Sequence, residues 1–224
     1  MGILALVLAY LLGSIPIGLL AVRLSTGKDL RKEHSGRTGG TNAMRAGGLW
    51  VGLITTLFDF LKAAGAVWLA KVFTNEDPWI VAAAGVLSVV GHNYSIFLLD
   101  RSGGKIRFRG GAGGASTVGA STGIWAPSML IILPVGLVLL FGVGYASLAT
   151  MATGLIATII FFVRALNGSG PWAYVYFGVI VEALLLLGLK LNIQRLLQGN
   201  ERLIGWRARL KRRQEKAKEV LEEQ

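Results

Sequence analysis

Seven apolar runs dominate this chain, at residues 3–24, 50–73, 78–99, 113–125, 128–145, 146–163 and 171–189. A helix needs about 20 such residues to cross a hydrocarbon layer about 30 Å thick, and all but one of the runs approach that length. Apolar side chains make up 53% of the 224 residues, more than the interior of one soluble domain can hold, so lipid is the expected solvent. The expected fold is an all-α membrane protein of about seven transmembrane helices, with glycine-rich loops on its cytoplasmic side.

Two of the seven assignments need support from charge. The run 113–125 is short, and no polar loop divides 128–145 from 146–163. Lys and Arg concentrate in 23–45, 101–109 and 190–218, whereas Thr74-Asn75-Glu76-Asp77 is acidic and the loop 164–170 has one cation. The positive-inside rule puts the three basic segments in the cytoplasm, so an even number of crossings must lie between Gly113 and Leu189. Four crossings meet that condition. A single helix over 128–163 would be roughly 54 Å long, too long for the bilayer, so a break is expected near Gly142-Val143-Gly144. The short run 113–125 can cross if protein buries its ends. The amino terminus then lies outside and the carboxyl terminus in the cytoplasm. The first run has no basic n-region and reads as a retained span. No internal repeat is evident, so the simplest division is a membrane domain, 1–200, and a basic cytoplasmic tail, 201–224.

Several function classes fall away on composition. The net charge is +11, but the cations lie between and after apolar spans, which argues for a membrane surface and against nucleic acid. The absence of cysteine excludes disulfides, thiolate metal sites and a cysteine acyl-enzyme. His34 and His92, the two histidines, lack metal-ligand spacing, so neither metal nor other cofactor is expected.

The polar content that remains is concentrated in two loops. His34-Ser35-Gly36-Arg37-Thr38-Gly39-Gly40-Thr41-Asn42-Ala43-Met44-Arg45 and Arg107-Phe108-Arg109-Gly110-Gly111-Ala112-Gly113-Gly114-Ala115-Ser116-Thr117 are rich in glycine, hydroxyl groups and arginine. Glycine lets backbone N–H groups approach an anion, a helix start adds its dipole, and arginines close the cage. The alternative is a pair of solvated loops whose glycines only make turns. Two such loops on one membrane side favour phosphate.

Other polar residues lie within the spans. Asp59 and Lys62, three apart, share a helix face and are expected to pair, since each alone would cost about 2.5–3.5 kcal/mol in the membrane. They either tie helices together or bring Lys62 to a phosphate. His92, beside Asn93, either orients a substrate, acts as a base or is a hydrogen-bonded packing residue. Glu182 is not expected to be catalytic. After the last span, residues 192–201 are expected to bring Asn192 and Arg195 to one side of a helix along the membrane face. Trp206 and Leu210 among the cations that follow suggest a tail that lies on anionic lipid or is simply solvated.

With these residues in view, the chain resembles the bacterial acyl-phosphate:glycerol-3-phosphate acyltransferases, integral membrane enzymes that make lysophosphatidic acid. Gly13-Ser14-Ile15-Pro16, Ser35-Gly36 through Gly39-Gly40-Thr41-Asn42 with Arg45, Asp59-x-x-Lys62, Gly91-His92, Gly144-Tyr145-Ala146-Ser147-Leu148-Ala149, and Asn192-Ile193-x-Arg195-Leu196 with Gly199 and Glu201 fall in the family's order over nearly the whole chain. The resemblance implies transfer of a fatty acyl group from acyl phosphate, not acyl-CoA, to the 1-hydroxyl of glycerol 3-phosphate. It implies Ser35, Arg45 and His92 as catalytic residues. Gly36, Gly39, Thr41, Asn42 and Lys62 would bind phosphate, and Arg109, Gly110, Gly111, Gly113, Ser116 and Thr117 would embrace the acyl phosphate. Asn192 and Arg195 would close the site, and an upstream enzyme would supply the acyl phosphate.

Two positions depart from the family pattern: Ala112 stands where the second motif has lysine, and Leu189 where the third has histidine. Lys105, Arg107 and Arg109 are candidates to return the missing charge. An activated donor needs mainly positioning, stabilisation of an oxyanion and neutralisation of the leaving phosphate, and a phosphate oxygen can accept the hydroxyl proton. No Ser-His-Asp pattern is then required. The rival reading is a divergent or inactive paralogue that binds or carries lipid.

Overall fold

The computed structural model describes residues 1–101, 106–210 and 213–214, which leaves Lys105 and half of the basic tail outside the described residues. The chain is helical almost throughout: α1 (Gly2–Ser14), α2 (Ile17–Thr26), α3 (Gly40–Gly47), α4 (Leu49–Phe73), α5 (Pro78–Asn93), α6 (Gly114–Ile124), α7 (Met129–Val138), α8 (Ala146–Leu166), α9 (Ala173–Gly188) and α10 (Lys190–Leu197). A pair of antiparallel strands, β1 (Ser95–Asp100) and β2 (Arg107–Arg109), departs from the all-α expectation.

Among the described residues, four segments are long and apolar enough to cross a membrane: Gly2–Thr26, Leu49–Phe73, Ala126–Val143 and Ala146–Leu166. A fifth is reached if Ala173–Gly188 and Lys190–Leu197, bent by 66°, count as one. The helices are those of a multi-pass membrane bundle, but length alone supports fewer than the seven crossings expected from charge. The shortfall lies in α5 and α6, of 16 and 11 residues. The expected run 78–99 stops as a helix at Asn93, because Ser95, Leu99 and Asp100 pair with Arg109, Phe108 and Arg107 and draw the backbone into a strand. The run 3–24 is likewise interrupted at Ile15-Pro16, where proline supplies no N–H.

The expected break between the fifth and sixth runs is present. The backbone winds into a π-turn over Leu139–Val143 and reverses at Gly144, whose φ of 83° is open to glycine at little cost. Ile204 N–H donates to Gly144 O (2.8 Å), and Arg207 donates to Val143 O (2.7 Å), so the chain beyond α10 straps this turn to the bundle.

Small residues let the helices approach closely. Along α4, Gly52, Thr55, Asp59, Ala63, Ala66 and Ala70 form the buried stripe, and α6 crosses it so tightly that a Cβ at Gly119 would collide with the carbonyl of Phe60. A Cβ at Gly91 of α5 would strike Tyr10 O of α1. Van der Waals packing between such surfaces is what holds helices together in lipid. From Ser116 to Ile124 every residue of α6 is buried, so protein surrounds this short helix as expected. The apolar core lies where α1, α4, α5, α6, α8 and α9 meet, around Val67, Val89, Phe161 and Phe177.

Candidate active site

The two glycine-rich loops meet. Thr38 N–H donates to Gly110 O (3.1 Å), and Gly111 N–H donates to His92 O (2.9 Å), so the first loop lies on the second and the second on the end of α5. Both loops run straight into helices, α3 after Gly39 and α6 after Gly113, whose φ of 94° favours glycine. Gly39, Gly40, Thr41, Gly113, Gly114 and Ala115 all line one cavity of about 220 Å³. Among the described residues, the N–H groups of Gly40, Thr41, Gly114 and Ala115 have no acceptor. Two helix starts thus aim free donors at the same space.

Around that space stand Ser35, Arg37, Asn42, Arg45, Asp59, His92, Asn192 and Glu201. The Arg45 guanidinium makes no hydrogen bond to a described residue, and burial, with Arg202 nearby, lowers its pKa. Arg37 reaches across from the first loop to donate to Gly188 O at the end of α9 and to Asn192 Oδ1 (3.3 Å). Asn192 Nδ2 in turn donates to Glu201 Oε1 (2.9 Å), whose other oxygen pairs with Arg195 (3.5 Å). The far wall is different in kind: Ile132, Leu133, Gly136, Leu137 and Leu140 of α7 and the turn after it face Ala149, Thr150 and Thr153 of α8. One end of the cavity is polar and cationic, the other an apolar slot.

Beneath the polar end, Asp59 pairs with Lys62 (2.8 Å) and with His92 Nδ1 (3.3 Å), all three side chains being no more than 7% exposed. Lys62 also donates to Ile15 O (2.8 Å), closing the break between α1 and α2.

Of the residues singled out from sequence, Ser35, Gly39, Thr41, Asn42, Arg45, His92, Gly113 and Asn192 line the cavity. The others stand behind it or beside it. Lys62 is turned toward Ile15 O and its carboxylate partner, so the ion pair expected from sequence is present but the lysine does not face the cavity. Ser116 and Thr117 are fully buried, donating to Asp59 O (3.2 Å) and Gly113 O (2.9 Å). Arg109 is held by Asp100 (2.6 Å), and Gly110 and Gly111 are wedged against α5. Gly36 serves the turn, with a φ of 69°, and Arg195 is tied to Glu201 and Leu191 O. Asn42 spends its amide on the carbonyls of Glu33 (3.1 Å) and Arg37 (2.7 Å), which shapes the first loop from inside.

Sequence reasoning missed Thr56 on α4 and Ser147, Thr150 and Thr153 on α8 as cavity residues. Hydroxyls at 147, 150 and 153 recur at helical spacing, a signal hidden by the apolar surroundings. Ala112 and Leu189 both line the cavity.

Known proteins resemble the chain along this whole frame. A family model described as glycerol-3-phosphate acyltransferase matches residues 3–199. A glycerol-3-phosphate acyltransferase of Thermus thermophilus is 36% identical over 203 residues, covering 91% of this chain and 95% of that one. Glycerol-3-phosphate acyltransferase 2 of Moorella thermoacetica is 35% identical over 210 residues, covering 93% and 100%. Among solved structures, the integral membrane glycerol 3-phosphate acyltransferase PlsY in its glycerol 3-phosphate form superposes with a TM-score of 0.79 at 31% identity, covering 91% of this chain and 96% of that one. Its lysophosphatidic acid form gives 0.76 at 29%, covering 91% and 95%. With a family match that takes in both glycine loops and α10, the chain belongs to the glycerol-3-phosphate acyltransferase family.

Proposed function

We propose that this cavity transfers a fatty acyl group from an acyl phosphate to the 1-hydroxyl of sn-glycerol 3-phosphate, giving lysophosphatidic acid for phospholipid synthesis. The hydroxyl oxygen attacks the acyl carbon, the bond from that carbon to the phosphate oxygen breaks, and the hydroxyl proton passes to the departing phosphate. No covalent enzyme intermediate is required. The observation that carries this reading is the convergence on one cavity, which continues as an apolar slot, of two helix starts and the Arg45 guanidinium, whose N–H groups have no acceptor among the described residues. Phosphate and developing oxyanion meet fixed donors at one end, and a fatty chain meets α7 and α8 at the other.

In this reading Ser35 and Arg45 position the glycerol phosphate and its reacting hydroxyl. Thr41, Gly39 and Gly113 contribute donors, and Asn192 closes the site. His92 sets the second loop and faces the reacting centre. The relatives' names and the two ligand-bound forms of PlsY support glycerol 3-phosphate as acceptor and lysophosphatidic acid as product. Seven crossings, with the amino terminus outside and the site on the cytoplasmic face, agree with the distribution of Lys and Arg. An enzyme that forms acyl phosphate must supply the donor.

Purified full-length protein, given labelled glycerol 3-phosphate with either palmitoyl phosphate or palmitoyl-CoA, tests the proposal. Lysophosphatidic acid is expected from the acyl phosphate alone. Product from neither donor, or from the CoA ester only, overturns it.

A further inference from the structure

We propose that Arg37 holds the phosphoryl group of the acyl phosphate, supplying from the first loop the positive charge that Ala112 and Leu189 leave out of the cavity wall. The inference rests on the acyl-transfer reading above.

The reaction brings two phosphoryl groups together, and the lysine and arginine side chains that line the cavity among the described residues are Arg37 and Arg45. The Arg37 side chain reaches one of the two departed positions, and the loop that carries it lies against the other. On one side it donates to Gly188 O, the residue before Leu189, and to Asn192. On the other, the loop that carries it is bonded to Gly110 O through Thr38, and Gly39 packs against the backbone of Gly111 and Ala112. The guanidinium thus sits beside the residue before Leu189, and the backbone of its own loop lies against Ala112.

Two of its five N–H donors are used. Both protein bonds come from Nη2, and Nε and Nη1 have no acceptor among the described residues. Each of these two nitrogens keeps an N–H free for a phosphate oxygen, with the charge of the whole guanidinium behind it. Burial and the neighbouring charge of Arg195 lower the pKa of Arg37, and Glu201 pairs with Arg195 instead. A cation desolvated in this way is stabilised by an arriving dianion. The other candidate cations are poorly placed: Arg109 is bound to Asp100, and Arg107 is exposed on β2 outside the cavity lining.

The test uses the purified full-length chain with palmitoyl phosphate and glycerol 3-phosphate varied separately. Arg37→Gln should raise KM for palmitoyl phosphate about 10- to 100-fold, the worth of a hydrogen bond to a charged group, and leave KM for glycerol 3-phosphate near its wild-type value. Adding Ala112→Lys to Arg37→Gln should bring the donor KM back toward wild type, because a lysine there enters the same cavity. Equal rises in both KM values, no rise in either, or no recovery in the double variant overturns the proposal. Should Arg37→Gln fail to fold, Arg37→Lys keeps the charge on the first loop; a donor KM near the wild-type value then supports the assignment, and a rise of about 10-fold or more, as if the charge had been removed, overturns it. If the wild-type chain does not use acyl phosphate, the functional reading itself fails, whereas an active wild type with an indifferent Arg37→Gln removes only the role of Arg37.

Discussion

The His92 imidazole lies directly against Gly111: a Cβ on that glycine would collide with the ring at Nε2, and the two backbones are joined by the Gly111 N–H donating to His92 O (2.9 Å). Asp59 holds the far side of the same ring at 3.3 Å. The second glycine loop is therefore positioned by a chain of contacts running from α4 through α5. Gly111→Ala must push the loop or the ring aside, and a displacement near 1 Å at reacting groups costs about 100-fold in rate. The expected outcome is a loss of that order in kcat with an intact size-exclusion profile. Wild-type turnover would mean that the loop is positioned without His92.

The Asp59–Lys62 pair should matter more to stability when broken than when removed. Asp59→Ala leaves a buried ammonium without its carboxylate and is expected to cost about 3–5 kcal/mol. Asp59→Leu combined with Lys62→Met removes both charges and should cost less. Unfolding in detergent, followed by denaturant or temperature, decides this; equal losses in the two variants would refute the pairing as the cause.

Close approach of α6 to α4 makes Gly119 sensitive to size. Gly119→Val would force the helices apart at the Phe60 carbonyl and, as an overpacked core, should cost about 1–3 kcal/mol. Because the start of α6 lines the cavity, the same variant should also lose acyl transfer. Retained stability and retained activity together would contradict the packing described.

Arg45 offers the opposite contrast. Its guanidinium holds no part of the described structure by hydrogen bonds, so Arg45→Ala should leave the unfolding midpoint almost unchanged while KM for glycerol 3-phosphate rises about 10- to 100-fold. A lowered midpoint with unaltered KM would make Arg45 a structural residue.

Asp29 caps the short turn Leu30–Lys32 that leads into the first loop, and the guanidinium of Arg31 pulls its pKa down to about 2. A carboxylate whose pKa is lowered by folding stabilises the fold above its unfolded pKa, near 4, and loses that contribution as pH falls through the folded value. The stability gap between wild type and Asp29→Asn should therefore be about 1 kcal/mol or less at neutral pH and close between about pH 4 and pH 2. A gap that is constant across that window would exclude the Asp29–Arg31 pair as its origin.

The amino-acid sequence by itself determined the apolar runs, the break before Ala146, the Asp59–Lys62 pairing and the two loops rich in glycine and arginine, since composition and spacing act along the chain and need no knowledge of neighbours. Only the tertiary structure decided that the run 78–99 leaves the helix at Asn93, because its last residues find partners in β2. The same holds for the direction of each side chain at the site. Ser116 and Thr117 look as available in sequence as Thr41, yet the close crossing of α6 with α4 buries them. Arg109 and Arg37 look alike in their loops, yet Asp100 captures one while the end of α9 and Asn192 receive the other. Hydrophobic patterning places a residue in the membrane or at its edge; which way a polar side chain turns there depends on partners that are distant in sequence and brought near only by packing.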